Sequence, residues 1–194
     1  MSNPGAHHTR ALKTVYRYLR GTVERGITFS PTDDPMRMFA DSDWAQYKDG
    51  RKSVSGSVCI FHGGPILWTS KKQTSVAISS TEAEYMSLKY AAQQSQWLRN
   101  VLVDMRYLNK ALGKDKPMEI MEDNQGAIAL VKNPYLHERS KHIDISYHYT
   151  RDLQAKGMIT TVYIPTKQMA ADGLTKPLAR IPFERFLRML RMID

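Results

Sequence analysis

A chain of 194 residues with 42% hydrophobic and 24% charged residues can bury one core of ordinary domain size. Its 28 lysines and arginines against 19 acids give a formal charge of +9 and a pI near 9.6, which points to polyanionic partners, nucleic acid first. The single cysteine, Cys59, excludes an internal disulfide or a thiolate metal cluster and suits a reducing, intracellular setting. No apolar run reaches the roughly 18 residues that span a membrane, and the N-terminus lacks the order of a signal peptide.

Residues 6–22, AHHTRALKTVYRYLRGT, carry Ala11, Leu12, Val15, Tyr16 and Leu19 at helical spacing, with Gly21 as the stop and Arg10, Lys13, Arg17 and Arg20 on other faces. A linker with Pro31 and Pro35 follows, so residues 1–36 read as an appendage and 37–194 as the working domain. RMFADSDWA then begins a strand. KDGRKS is a turn, Val54, Val58 and Ile60 alternate with smaller residues in a second strand, Gly63, Gly64 and Pro65 turn again, and Ile66–Ser70 form a third. Short connections between these three predict antiparallel pairing.

SSTEAE opens the longest helix, with Ser79 and Glu82, or Thr81 and Glu84, spaced as a capping box. Ala83, Met86, Tyr90, Ala91, Leu98, Val101, Leu102 and Met105 give its apolar stripe, and Gly113 and Pro117 mark its end. MEIM is a fourth strand running into Glu122, Asp123 and Asn124. QGAIALVKN is a short helix, HERSKH a polar segment, and IDISYHYTRDLQAKG a helix ending at Gly157. ITTVYIP is a fifth strand, TKQMAADGLTKPL a short helix or turn, and FERFLRMLRMI a basic amphipathic helix that packs on the sheet or on a neighbour. The order predicts an α/β fold with a mixed five-stranded sheet, three antiparallel strands then two parallel, flanked by helices. Trp44, Trp68 and Trp97 read as core or interface aromatics.

Four acids fall where strand ends and helix starts converge in such a sheet: Asp41, Glu82, Asp123 and Asp172. Carboxylates gathered at close range call for cations, and oxygen-only donors suit Mg²⁺, with Mn²⁺ as a substitute. Two such ions about 3.5–4 Å apart can drive phosphodiester hydrolysis, which agrees with a basic chain. Each acid has a plainer reading. Asp43 shares a strand face with Asp41, Glu82 completes a capping box with Ser79, Asp123 or Asn124 caps the next helix, and Asp172 beside Gly173 is ordinary turn chemistry. Lys71, Lys72, Arg139 and Lys141 are candidate phosphate contacts.

FADSDWA, RKSVSGSV, PILWTSKKQ, SSTEAEY, EDNQGAI, NPYLHERSKHIDISYHY and YIPTKQMAADGLTKPL, in this order from Phe39 to Leu178, resemble the ribonuclease H domain of Ty1/copia-type retrotransposon polyproteins. The first helix resembles the segment joining reverse transcriptase to that domain. The resemblance implies two-metal hydrolysis of the RNA strand of RNA/DNA hybrids, with Mg²⁺ held by Asp41, in preference to Asp43, and by Glu82, Asp123 and Asp172. It places Gln125 against the hybrid's minor groove. It further implies the reverse transcriptase polymerase domain as a partner and a cytoplasmic virus-like particle as the setting. One departure is that the loop before the last acid, PTKQMAA, lacks the histidine that many ribonucleases H carry, while His137 and His142 lie elsewhere. The rival readings are a nucleic-acid-binding or scaffolding module without strong nuclease activity, and a nuclease of the same superfold acting on another nucleic acid.

Overall fold

The computed structural model describes residues 4–44, 51–133 and 144–193. Its centre is a five-stranded sheet. β2 (Arg37–Asp43) pairs antiparallel with β3 (Val54–Phe61), which pairs antiparallel with β4 (Gly64–Lys72). On its other edge β2 runs parallel to β5 (Met118–Glu122), and β5 parallel to β6 (Ile159–Tyr163), giving the order β4-β3-β2-β5-β6. This is the mixed arrangement that the hairpin and crossover spacings imply.

The two-residue period of β2 divides its side chains between two cores. Met36, Met38 and Ala40 pack with Tyr85, Leu88, Ala91, Ala92 and Leu98 of the long helix α2 (Ser80–Asp104). Phe39 faces the other side, where Val58 and Met121 meet Met169, Phe186, Leu187 and Leu190. The last three belong to the end of the chain, where α6 (Arg180–Met189) closes that face. Asp41 and Asp43 continue the Phe39 parity, and Ser42 the Ala40 parity. Where the two apolar cores stop, the carboxylates start.

α3 (Leu108–Leu112) follows α2 as a separate short turn, α4 (Gln125–Lys132) follows β5, and α5 (Asp144–Ala155) precedes β6. α1 (Ala6–Gly21) buries none of its residues, although Tyr18 meets Phe183 of α6 edge-on at 5.9 Å. Sequence periodicity missed the two-residue strands β1 (Gly26–Ile27) and β7 (Met192–Ile193), which pair with each other and are too short to show a period.

Two expectations are corrected here. Gly64 and Pro65 are strand residues, and the reversal is made at His62 and Gly63, both with positive φ. Pro65 is tolerated because β4 is an edge strand, where a missing N–H costs no ladder bond. Of the two readings of the tryptophans, the core one is excluded: Trp44, Trp68 and Trp97 are 51%, 57% and 57% exposed. Trp68 stands on the edge strand and Trp97 on the outer face of α2, while Trp44 Nε1–H donates to the Ala77 carbonyl at 3.2 Å.

Candidate active site

β2 carries Asp41 to the end of the sheet and seals it there, with 3% of its surface exposed. From the α2 side the Ser87 hydroxyl lies 2.7 Å from the Asp41 carbonyl oxygen and 3.2 Å from that of Gly56, its register partner on β3. From the other side Thr175 Oγ1 donates to Asp41 Oδ2 at 2.7 Å. Asp43 is used differently: its Oδ1 accepts the Val54 N–H at 2.5 Å and holds the start of β3. The two aspartates of FADSDWA share a face but not an environment.

The start of α2 brings one acid to the group, and it is Glu84, the fifth residue of the helix, not Glu82 in its first turn. Ser79 Oγ accepts from the Glu82 N–H at 3.1 Å, and Glu82 Oε2 accepts from the Ile78 N–H at 2.8 Å, so this carboxylate is turned back on the helix start as a cap. Glu84, two residues on, points the other way. Carboxylate oxygens of Asp41, Glu84 and Asp123 all lie within 4.8 Å of one another. The expectation at Glu82 therefore gives way to Glu84, because a helix advances 100° per residue and the cap and the sheet claim different faces. Buried α2 residues at 88, 91, 95, 98 and 102 extrapolate back to 84, a signal the capping motif hid.

Asp123 reaches the group because its neighbour does the capping. Asn124 Oδ1 accepts the Ala127 N–H at 3.0 Å and starts α4. The N-termini of α2 and α4 meet at this point, where a Cβ on Gly126 would come within 3.2 Å of Thr81. Asp172 opens a 3₁₀ turn, Asp172–Leu174, and forms an ion pair with Lys176 one turn on. It lies outside the three-acid group, yet near enough to act on Asp41 through its charge.

Burial raises the Asp41 pKa to about 7, opposed by the Thr175 hydrogen bond and helped by the charges of Asp172 and Asp123. Burial, then the charges of Asp41 and Asp123, pushes Glu84 to about 9, with hydrogen bonds to Ser42 partly offsetting. Behind it stands a fifth acid that sequence reasoning did not place in the site. Glu122 is fully buried at the end of β5, facing Glu84, and burial followed by the Glu84 charge holds its carboxyl well above the usual range. Glu122 Oε1 accepts the Asn124 N–H at 3.0 Å, while Oε2 of both Glu122 and Glu84 is buried without a hydrogen-bond partner. Burial alone would lower the Lys176 pKa, but its contact with Asp172 and the charges of Asp41 and Asp123 raise it.

A set of oxygen donors with orphaned buried atoms and raised pKa values lacks positive charge. Hard divalent cations such as Mg²⁺ or Mn²⁺ fit this donor set. Around it, Lys71 and Lys72 are exposed at the end of β4, in register through Ser55 and Val54 with Ser42 and Asp43, and the Lys71 ammonium stands 5.5 Å from the Tyr90 ring centroid. Gln125 is exposed in the first turn of α4. Arg139, Lys141, His137 and His142 lie outside the described residues. The histidine-free loop is filled by the buried Met169, Ala170 and Ala171.

No protein-family model matches the chain. It is 38% identical over 187 residues to the retrovirus-related Pol polyprotein from transposon RE1 of Arabidopsis thaliana, covering 96% of this chain and 12% of that protein. It is 37% identical over all 194 residues to the Pol polyprotein from transposon RE2 of the same plant, 13% of whose length it spans. The polyprotein from transposon TNT 1-94 of Nicotiana tabacum is 38% identical over 184 residues, 95% of this chain and 13% of that one. Over nearly its whole length the chain is homologous to one segment of copia-type retrotransposon Pol polyproteins. It corresponds to about an eighth of the length of these relatives.

Solved structures agree on the fold. LC11-RNase H1, isolated from compost by a metagenomic approach, superposes with a TM-score of 0.55 at 16% identity, over 73% of this chain and 92% of that one. The same enzyme in complex with an RNA/DNA hybrid gives 0.53 at 16% identity, over 72% and 93%. This Pol segment has the ribonuclease H fold.

Proposed function

We propose that this Pol segment is a metal-dependent ribonuclease H that hydrolyses the RNA strand of RNA/DNA hybrids, with Asp41, Glu84, Asp123 and Asp172 as the ion-binding acids. The observation that carries the reading is the meeting of Asp41, Glu84 and Asp123 at one sheet end, with Asp41 and Glu84 buried and Glu84 Oε2 without a hydrogen-bond partner. When bound, two Mg²⁺ or Mn²⁺ ions supply an activated water and charge stabilisation for the departing 3′ oxygen. The chain's own residues do the rest. Asp41, Glu84 and Asp123 fix where the scissile phosphate sits, and Asp172 completes the set from the 3₁₀ turn after β6.

Gln125, beside Asp123, is placed to read the shape and 2′-hydroxyls of a minor groove. Lys71 and Lys72 take phosphates along the β4 edge, and the net charge of +9 gathers the polyanion. The hybrid-bound neighbour supports this choice of substrate. As one eighth of a Pol polyprotein, the segment works beside the reverse transcriptase polymerase domain, inside the cell and within the element's particle.

The test is a cleavage assay with labelled RNA/DNA hybrid, RNA duplex and DNA duplex in Mg²⁺, Mn²⁺ and EDTA. The wild type is expected to cut the RNA of the hybrid in either metal and not in EDTA, and Asp123→Asn to be inactive. A folded protein that binds the hybrid and leaves it intact in both metals would be the nucleic-acid-binding module instead. Cleavage of a DNA or RNA duplex in preference to the hybrid would assign another nuclease of this superfold.

A further inference from the structure

Two of the sequence motifs, the glycine of SVSGSV and the threonine of GLTK, carry no chemistry of their own in this reading, yet they meet at Asp41. Thr175 follows the 3₁₀ turn that begins at Asp172 and is 6% exposed. Its hydroxyl donates to Asp41 Oδ2 at 2.7 Å and lies 3.0 Å from the Asp172 carbonyl oxygen. Its methyl group fills the space over Gly56, the register partner of Asp41. A Cβ on Gly56 would come within 2.7 Å of that methyl and 3.0 Å of both the Ala171 carbonyl oxygen and Leu174 Cβ. The bare backbone at 56 is what lets the segment bearing Asp172 cross over the strand bearing Asp41.

The consequence is a carboxylate held before any cation arrives. Ser87 engages the Asp41 main chain from the α2 side, and Thr175 engages its side chain from the other. A ligand whose orientation is set by an outer hydrogen bond binds its ion without first having to be ordered. We propose that Thr175 is a positioning residue of the metal centre, its hydroxyl holding the Asp41 carboxylate in the ligating orientation and its methyl, seated on Gly56, locking the Asp172 segment to β2. This rests on the reading that these acids bind divalent ions.

Thr175→Val keeps the shape and removes the hydroxyl, whereas Thr175→Ser keeps the hydroxyl and removes the methyl. Mn²⁺ titration by calorimetry, without substrate, is expected to show affinity reduced about tenfold or more in Thr175→Val and within about threefold of wild type in Thr175→Ser, since losing an outer partner of a metal ligand costs about 10–100-fold. Thr175→Ala serves the same purpose if the valine variant does not fold. Gly56→Ala, which displaces the threonine, should weaken Mn²⁺ binding as the valine variant does. Equal affinity in wild type and Thr175→Val, or Thr175→Ser as weak as Thr175→Val, overturns the proposal. Asp123→Asn separates it from its parent: if that variant loses Mn²⁺ while Thr175→Val does not, the positioning role alone fails. If Asp123→Asn binds like wild type, both fail.

Discussion

The two walls of the carboxylate centre are built on opposite plans. On the wall where the chain after β6 crosses β2, acids have partners: Asp41 accepts from Thr175, and Asp172 pairs with Lys176. On the wall formed by α2 and β5, acids face acids. Glu84 and Glu122 are buried against each other with an orphaned oxygen each, and Asp123 adds a third charge. The partnered wall is organised in advance, and the acid-facing wall is the one that needs a cation. A site of this kind spends folding stability on a charge cluster that binding then relieves.

The sharpest break between the walls comes from the aspartates of β2. Asp41→Asn should lower hybrid cleavage by more than about 100-fold, beyond the loss of a mere outer partner. Asp43→Asn, which keeps an acceptor for the Val54 N–H, should stay within a few-fold of wild type in the same assay.

The pH dependence of stability probes the acid-facing wall. Asp41 and Glu84 have folded pKa values of about 7 and about 9, above their ordinary 3.8 and 4.5, so the folded protein holds protons that the unfolded chain has released. The stability this contributes is complete below about pH 4 and is lost as the pH climbs through 7 and 9. Thermal unfolding in EDTA should therefore give a higher Tm near pH 5 than near pH 9, and Mg²⁺ should narrow the gap. Glu122→Gln retains the acceptor for Asn124 and replaces an acid whose ionisation burial opposes. Its metal-free Tm at pH 8 should rise by about 2–4 °C, the shift that 1 kcal/mol gives in a domain of this size.

The smallest effect belongs to the partnered wall. Lys176→Met removes a resident cation from Asp172, so Mn²⁺ should bind about two- to fivefold more tightly, as an ion pair worth up to about 1 kcal/mol allows. Weaker binding in that variant would mean that Lys176 supports the ions and does not compete with them.

Much of this was legible in the sequence. Short turn-rich connections against helical crossovers pointed to a mixed sheet of three antiparallel and two parallel strands, and Asp41 and Asp123 stood at strand ends where chemistry collects. Glu84 was hidden because the capping box at Ser79 and Glu82 is a local signal, whereas the placement of Glu84 depends on which helix face the sheet takes. Glu122 was hidden because an acid next to Asp123 reads as part of a polar turn, and only packing against α2 reveals its burial. The core reading of the tryptophans failed for the converse reason: size and apolarity predict burial, but an edge strand and the outer face of a helix leave Trp68 and Trp97 exposed. Thr175 could not be read at all, since its partner is 134 residues away.

Glu84, and not Glu82, is proposed to join Asp41 and Asp123 in holding the ions. Calorimetric titration of Mn²⁺ into wild type, Glu82→Gln and Glu84→Gln tests it most directly. Glu82→Gln should bind like wild type, and Glu84→Gln should be weaker by more than about 100-fold. Loss of binding in Glu82→Gln with wild-type affinity in Glu84→Gln would contradict it.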